Sequence, residues 1–345
     1  MQLKHKKINI LIIGFGSIGQ RHYRNIKKLF KNKVNFYLLR KINKTPNLTK
    51  NNNLSKIKNP KRSSVQIIKS FKEIDFSKIK ITAAFICTPT SLHLNYLEWL
   101  LRNNINTFIE KPLSNDTKGL KKIKKIYAKS KSITMIGFQM RFNPIINFLK
   151  NKKNYENALG KLYFVEIKNG EDVRKFHKWE DYSNSYTSKK SLGGGVTLSQ
   201  IHEFDYFQFL FEDYNVVKSK SLILKNSNFN INVDDTSAHL FHLKKQKQNL
   251  VCSINLNFYE NPKNRKIKYI CSEGTLEADL NKNHIIFYKK NKRKIKKFSF
   301  KRNDIFLDEL KYFFNCIKFR KKKHNLDLIY AIKNLKFVTD LLGQK

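Results

Sequence analysis

Six residues near the N-terminus have the types and spacing to hold a phosphate group: Gly14, Phe15, Gly16, Ser17, Ile18 and Gly19. They form a G-x-G-x-x-G run. It follows an apolar stretch, Ile8–Ile13, that reads as a buried parallel strand, and it opens a segment of helical character, Ser17–Phe30. Such a run is informative only in that strand-to-helix context. Gly14 permits the tight turn, Gly16 lets a pyrophosphate approach the backbone, and Gly19 lets helix and strand pack closely. The start of the helix then offers N–H groups and a positive dipole end to the phosphates. A glycine turn with no ligand is the plain alternative.

Two further spots extend this chemistry. About twenty residues beyond the glycines, NAD sites place an acid that binds the adenosine ribose. Here Leu38-Leu39-Arg40-Lys41 carries none. Arg40 has the charge to embrace a 2′-phosphate, so NADP is expected ahead of NAD, unless Arg40 is one more surface cation. Glu110-Lys111-Pro112 closes the strand-like stretch Asn106–Ile109. Ligands of open parallel sheets bind beyond the carboxyl ends of the strands. A lysine fixed there between Glu and Pro can hydrogen-bond a substrate oxygen and stabilise its negative charge.

The elements that must position these residues alternate in the first half of the chain. Ile8–Ile13, Val34–Leu39, Val65–Ile68, Ile81–Cys87, Asn106–Ile109 and Ile133–Gly137 read as strands. Helices are expected at Ser17–Phe30, Ser91–Arg102 and Asn115–Ser130, and a long loop at 41–62. This alternation predicts an α/β, Rossmann-type doubly wound parallel sheet over residues 1–137.

Residues 138–345 read differently. Strand-like runs at Lys161–Lys168, Val216–Leu224, Ser237–Leu243, Asn249–Asn257, Lys266–Cys271 and Asn283–Tyr288 follow one another with few helices between them. In Leu250–Phe258 every even position is apolar, and positions 253, 255 and 257 are Ser, Asn and Asn. That alternation predicts a sheet with one buried and one polar or interface-forming face. Helices at Leu198–Phe211, Ile305–Phe319 and Leu326–Leu342 can cover the buried face, giving an α+β domain with a large, mainly antiparallel open sheet.

Composition bounds the alternatives. The chain has 345 residues, 40% of them hydrophobic, enough for two cores. Lys+Arg is 70 and Asp+Glu 26, a formal charge of +44. Lys, Asn and Ile are all abundant, a pattern that A/T-rich codons produce. The lysines spread through every segment, and no helix-turn-helix, zinc-finger or RNP signature accompanies them, so no specific nucleic-acid partner is expected. Short runs such as 291–297 and 321–323 are denser. No run of eighteen apolar residues predicts a membrane span. The lysines and short apolar run at the start lead into the glycine fingerprint without a small-residue cleavage site, unlike a secretory signal. Four cysteines without a CxxC pair fit a reducing, cytoplasmic setting.

Taken together, GFGSIGQRH at 14–22, CTPTSLH at 87–93, IEKPLS at 109–114, GFQMRFNP at 137–144 and GGGVTLSQIHEFD at 193–205 resemble the Gfo/Idh/MocA family of NAD(P)-dependent oxidoreductases. The resemblance implies hydride transfer between a nicotinamide and a carbinol or carbonyl carbon of a sugar, sugar nucleotide or cyclitol. Surface-polysaccharide or sugar-acid biosynthesis is the setting it suggests. It implies homo-oligomer formation through the second sheet. It implies that Cys87, Thr88, Pro89 and His93 lie at the cofactor with Glu110 and Lys111, and that Arg141 lies on the nicotinamide side.

By the same resemblance, Lys111 and His202 are the catalytic pair, and Lys111, Arg141, Ser199 and His202 are expected at the substrate. Histidine titrates near neutrality and can serve as acid or base. His202 and Asp205 stand three apart on an expected helix, hence on one face. A structural helix histidine is the alternative. Related sequences often carry Asp where this chain has Ser199. Serine cannot supply that charge, so Asp205 or Glu203 compensates, Lys111 carries more of the mechanism, or activity is reduced. No metal site is expected at 202–205, since one imidazole is local. Trp179, Tyr182 and Tyr186 are candidates to stack on a sugar ring or to pack in a core. A binding protein that senses nucleotide or sugar without turnover is the second reading, and a polyanion-binding protein the third.

Overall fold

The computed structural model describes residues 7–39, 48, 65–176 and 179–343. The expected loop at 41–62 and the residue Arg40 lie outside the described residues, apart from Leu48. The chain divides into two compact units. The first is Met1–Gly137, His177–Asp181 and Phe306–Leu335; the second is Phe138–Phe176, Tyr182–Ile305 and Lys336–Lys345.

The sheet of the first unit contains β1 (Ile8–Ile13), β2 (Val34–Leu39), β3 (Val65–Ile68), β4 (Ala83–Ile86), β5 (Thr107–Glu110) and β6 (Thr134–Gly137). The strands are parallel in the order β3-β2-β1-β4-β5-β6. The order reverses between β1 and β4, so loops leaving those two strands open a crevice at the sheet's carboxyl edge. Nearly continuous apolar runs such as Ile-Asn-Ile-Leu-Ile-Ile suit strands covered on both faces.

Helix α1 (Ser17–Phe30) buries Gly19, His22, Tyr23 and Ile26, positions spaced for one helical face. α2 (His93–Arg102) buries Leu97, Leu100 and Leu101. α3 (Leu120–Lys129) begins five residues later than the sequence suggested. Gly119 stands before it at φ 79°, a left-handed conformation that a continuous helix from Asn115 cannot contain.

The second unit carries α4 (Pro144–Lys150) and α5 (Lys153–Leu159), two short helices the sequence pattern did not reveal. Its sheet runs β14-β13-β12-β11-β7-β10-β9-β8. The strands are β7 (Leu162–Gly170), β8 (Asn215–Leu224), β9 (Thr236–Lys245), β10 (Gln248–Asn257), β11 (Asn264–Cys271), β12 (Gly274–Asp279), β13 (His284–Lys289) and β14 (Lys292–Lys297). Only β7 and β10 pair in parallel; the other neighbours are antiparallel. In β10, Leu250, Cys252, Ile254 and Leu256 are buried, as the alternation predicts. Tyr155 of α5 packs on Tyr269, and Phe207 on Phe241, across the covered face. Leu222, Leu224 and Leu240 remain 57%, 46% and 50% exposed on the other.

The expected helix Leu198–Phe211 is two: α6 (Val196–Ser199) and α7 (His202–Leu210). Gln200, at φ −100° and ψ 32°, leaves helical geometry between them.

α8 (Arg302–Lys318) and α9 (Leu328–Leu342) supply most of the returning chain in the first unit. Phe313 packs against Phe85 and Phe108 beneath the sheet. Leu326 O accepts from Ile136 N at 2.9 Å, and Asp327 bridges Met135. The returning chain thereby covers the edge strand β6, which would otherwise present unpaired backbone groups.

Candidate functional site

In the first unit the glycines divide their work as their conformations dictate. Gly14 lies at φ 87°, and a Cβ there would meet the Cys87 carbonyl oxygen at 2.7 Å. A Cβ on Gly19 would overlap the Gly14 carbonyl. Those two positions hold the turn and the helix against neighbouring backbone. Gly16 differs. It precedes α1 in an ordinary extended conformation, with nothing within 4 Å of a built Cβ. The space above it adjoins the N-terminus of a fourteen-residue helix. That opening fits a dinucleotide's pyrophosphate.

Cys87-Thr88-Pro89 leaves β4, the strand beside β1. Cys87 N donates to Ile13 O at 2.8 Å, locking this loop to the glycine strand. Burial pushes the Cys87 thiol well up, so it is no nucleophile. Thr88 Oγ1 is buried without a hydrogen-bond partner among the described residues. An orphaned hydroxyl beside an open crevice is the pattern a polar ligand would complete.

Two buried histidines fix the remaining loop. His22 of α1 packs against both Phe85 and Phe108, and its Nε2 lies 2.7 Å from Glu110 Oε1. Glu110 ends β5, so α1 anchors the strand end from which half-buried Lys111 emerges, followed by a cis Lys111–Pro112 bond. His93, 1% exposed, lies 2.9 Å from both Thr88 O and Pro112 O. It ties the β4 loop to the β5 loop. Burial lowers its pKa, opposed by the two carbonyls. A neutral ring donates to only one carbonyl at a time.

The second unit contributes other expected residues. His202 opens α7, 6% exposed, its ring edge-to-face with Phe138 at 5.8 Å. Ser199 ends α6. Asp205 is fully buried and receives Arg141 through both guanidinium arms, Nε at 2.9 Å to Oδ2 and Nη2 at 2.9 Å to Oδ1. Arg141 also lies over the Phe209 ring at 4.5 Å. Glu203, also fully buried, pairs with Arg265 Nε at 2.7 Å. Asp205 and Glu203, the two acids expected to compensate for Ser199, are therefore both held by guanidinium groups. Through α7, these ion pairs fix the helix that carries His202. Among the described residues, no group of three or more His, Cys, Asp or Glu side chains gathers as a metal site.

Asp234 governs the glycine segment before His202. Its backbone carbonyl accepts from Val196 N at 2.9 Å. Its Oδ2 accepts from Thr197 N at 3.0 Å and Thr197 Oγ1 at 2.7 Å. Gly195, at φ 108°, presses so close that a Cβ would overlap this carboxylate. Burial raises the Asp234 pKa. Sequence reading missed His22, Asp234 and Arg265. For Asp234 the sequence offered no distinct signal, since adjacent acids also occur at 171–172, 180–181, 212–213 and 308–309. Trp179 belongs to the first unit and Tyr182 and Tyr186 to the second. Tyr182 packs on Phe229, and its hydroxyl accepts from Asn230 N at 3.2 Å.

Known proteins resemble this chain in sequence and fold. Residues 8–138 match the profile of the Gfo/Idh/MocA family, an oxidoreductase family with an NAD-binding Rossmann fold. Over 132 residues the chain is 29% identical to inositol 2-dehydrogenase of Rhizobium meliloti, covering 38% of this chain and 36% of that protein. Over 138 residues it is 27% identical to 2,7-anhydro-N-acetylneuraminate hydratase of Mediterraneibacter gnavus, covering 39% of this chain and 34% of that one. The sequence match thus spans about a third of each relative. An inositol dehydrogenase homolog from Azotobacter vinelandii, solved with NAD+, superposes with a TM-score of 0.75 over 100% of this chain and 97% of that one, at 11% identity. At that identity the likeness establishes the fold.

Proposed function

From the match of residues 8–138 to the Gfo/Idh/MocA oxidoreductase family, we propose that the protein is an NAD(P)-dependent dehydrogenase or reductase acting on a CH–OH carbon of a sugar or cyclitol. The observation that carries this is Gly16, the one fingerprint glycine whose missing side chain leaves open space at the start of a helix. When bound, the nicotinamide supplies or accepts the hydride. The chain's own residues do the rest. The fingerprint amides and the α1 N-terminus hold the pyrophosphate. Phe15, Ser17, Ile18, Thr88, Pro89 and His93 shape the crevice around it. Lys111, set by Glu110 and Pro112, polarises the substrate oxygen. His202 exchanges the hydroxyl proton, and Ser199 contributes a hydrogen bond. Arg141 acts as a positioning residue through Asp205.

NADP is assigned ahead of NAD because no acid follows β2 and Arg40 stands there. The relative named inositol 2-dehydrogenase supports a polyol substrate. The relative named a hydratase requires that oxidation and water addition be read separately. Absorbance at 340 nm in a single turnover, with a sugar and cyclitol panel, does this. Hydride transfer should appear with at least one of them, and His202→Ala or Lys111→Met should slow it about 10²–10⁴-fold, the usual weight of a general acid–base group. A parent rate in His202→Ala on a competent substrate would make that histidine structural.

The uncovered sheet face is assigned to a homo-oligomer contact. Leu222, Leu224 and Leu240 stand out there because β8 and β9 place Leu222 beside Ala238 and Lys220 beside Leu240. Light scattering should find a species larger than one chain at two protein concentrations. A monomer at both would remove this assignment.

A further inference from the structure

The densest charge in the molecule lies apart from the residues assigned to hydride transfer. Residues 281–301 hold eight lysines and one arginine and no acid. The chain-wide share, 70 of 345, would place about four cations there. Biased codon usage raises lysine everywhere and does not account for a local doubling.

The fold bends this stretch around a cavity of about 460 Å³ in the second unit. Lys282, His284, Lys297 and Lys301 line it, with Phe298, Ser299 and Phe300. β13 and β14 pair His284 directly with Lys297. The one carboxylate in the lining, Asp304, accepts from Lys301 N at 2.9 Å, capping the turn into α8. Among the described residues, none of Lys282, Lys297 and Lys301 has a carboxylate partner within ion-pair distance. Elsewhere on this hairpin Lys289 pairs with Glu273.

Lysines on an exposed edge strand commonly guard against strand addition. That accounts for Lys292–Lys296 on β14. It does not account for Lys282 and Lys301, which lie off the strand and face the same cavity. Three lysines around one concavity raise the local potential and favour multiply charged anions. Its volume falls in the range of small-molecule sites, and Lys binds phosphate oxygens as a point charge.

We propose that this cavity binds a phosphate-bearing small molecule, at a site that is not the glycine-rich loop. The phosphoryl group sits among Lys282, Lys297 and Lys301, and the Phe298 and Phe300 rings contact the remainder. This assignment stands independently of the proposed oxidoreductase activity.

Isothermal titration of the full chain with inorganic pyrophosphate, at about 100 mM salt, tests it. Three proteins are compared: the parent, the cavity variant K282E/K297E/K301E, and the control K121E/K124E/K125E, which makes the same charge change on α3. Pyrophosphate affinity should fall at least tenfold in the cavity variant and less than threefold in the control. The glycine-rich loop is identical in all three, and NADH affinity, measured in parallel, should be unchanged. Equal losses in both variants, or no loss in either, overturn the proposal. Should the triple variant fold poorly, K297A is expected to lose affinity about threefold or more, and an unchanged K297A likewise overturns it. Binding of a 20-nucleotide oligothymidylate without any saturable pyrophosphate binding would assign the patch to a polymer and also overturn it.

Discussion

The two units hold their candidate residues by different means. In the first, the glycine loop, the Thr88 loop and the Lys111 loop are fixed largely by backbone. Gly14 is shaped around the Cys87 carbonyl, and His93 spans two carbonyl oxygens. In the second, the helix bearing His202 is fixed by buried charge: Asp205 with Arg141, and Glu203 with Arg265. Backbone constraints leave marks in sequence, because only glycine tolerates them. Buried ion pairs leave few marks, since their members lie 64 and 62 residues apart in the chain. Yet the second arrangement is the more fragile, because losing one partner strands a charge in the core.

Arg141→Ala sharpens this contrast most. It takes the guanidinium away from a fully buried carboxylate, and should cost about 3–5 kcal/mol of stability, read from urea unfolding at pH 7. Arg141→Lys should recover part of that cost but not the two-armed geometry. A loss under about 1 kcal/mol, the scale of surface pairs, would break the comparison.

Acid should also reach the second unit, through a buried neutral imidazole. Burial pushes the His239 imidazole down to about 4, and Ser221 Oγ lies 2.8 Å from its Nδ1. The ring stays neutral in the folded chain and takes its proton on unfolding. Its stabilising share is therefore complete above about pH 6.5 and drains as pH falls toward 4, by at most about 3 kcal/mol. His239→Gln should flatten that part of the pH–stability curve. An unaltered slope would assign the acid response to His93 and His324, whose pKa values burial also lowers in the first unit.

The fold was legible where pattern and burial coincide. Ile8–Ile13 is a strand buried on both faces, and Leu250–Leu256 alternates as its sheet requires. β14 was not legible, because Lys-Arg-Lys-Ile-Lys-Lys has no apolar alternation and is a strand only through its pairing with β13. α4 and α5, seven residues each, are too short to show a helical period. The break between α6 and α7 escaped notice because Gln200 and Ile201 carry no glycine or proline signal. At the candidate site the same division holds. The fingerprint, Lys111 and His202 stood out by motif. The anchoring of Glu110 by His22 and the hold of Asp234 on Thr197 depend on contacts between distant positions, which local spacing cannot display.

Dinucleotide binding at the glycine loop is the claim on which the functional reading rests, and Gly16 tests it most directly. Its conformation accepts a side chain and its surroundings have room for one, so Gly16→Val should fold as the parent does. The valine would occupy the space assigned to the pyrophosphate. Fluorescence titration with NADPH and NADH should show saturable binding to the parent, tighter for NADPH, and binding of neither to Gly16→Val at matched thermal stability. Equal affinity in parent and variant, or no binding of either dinucleotide to the parent, would contradict the account.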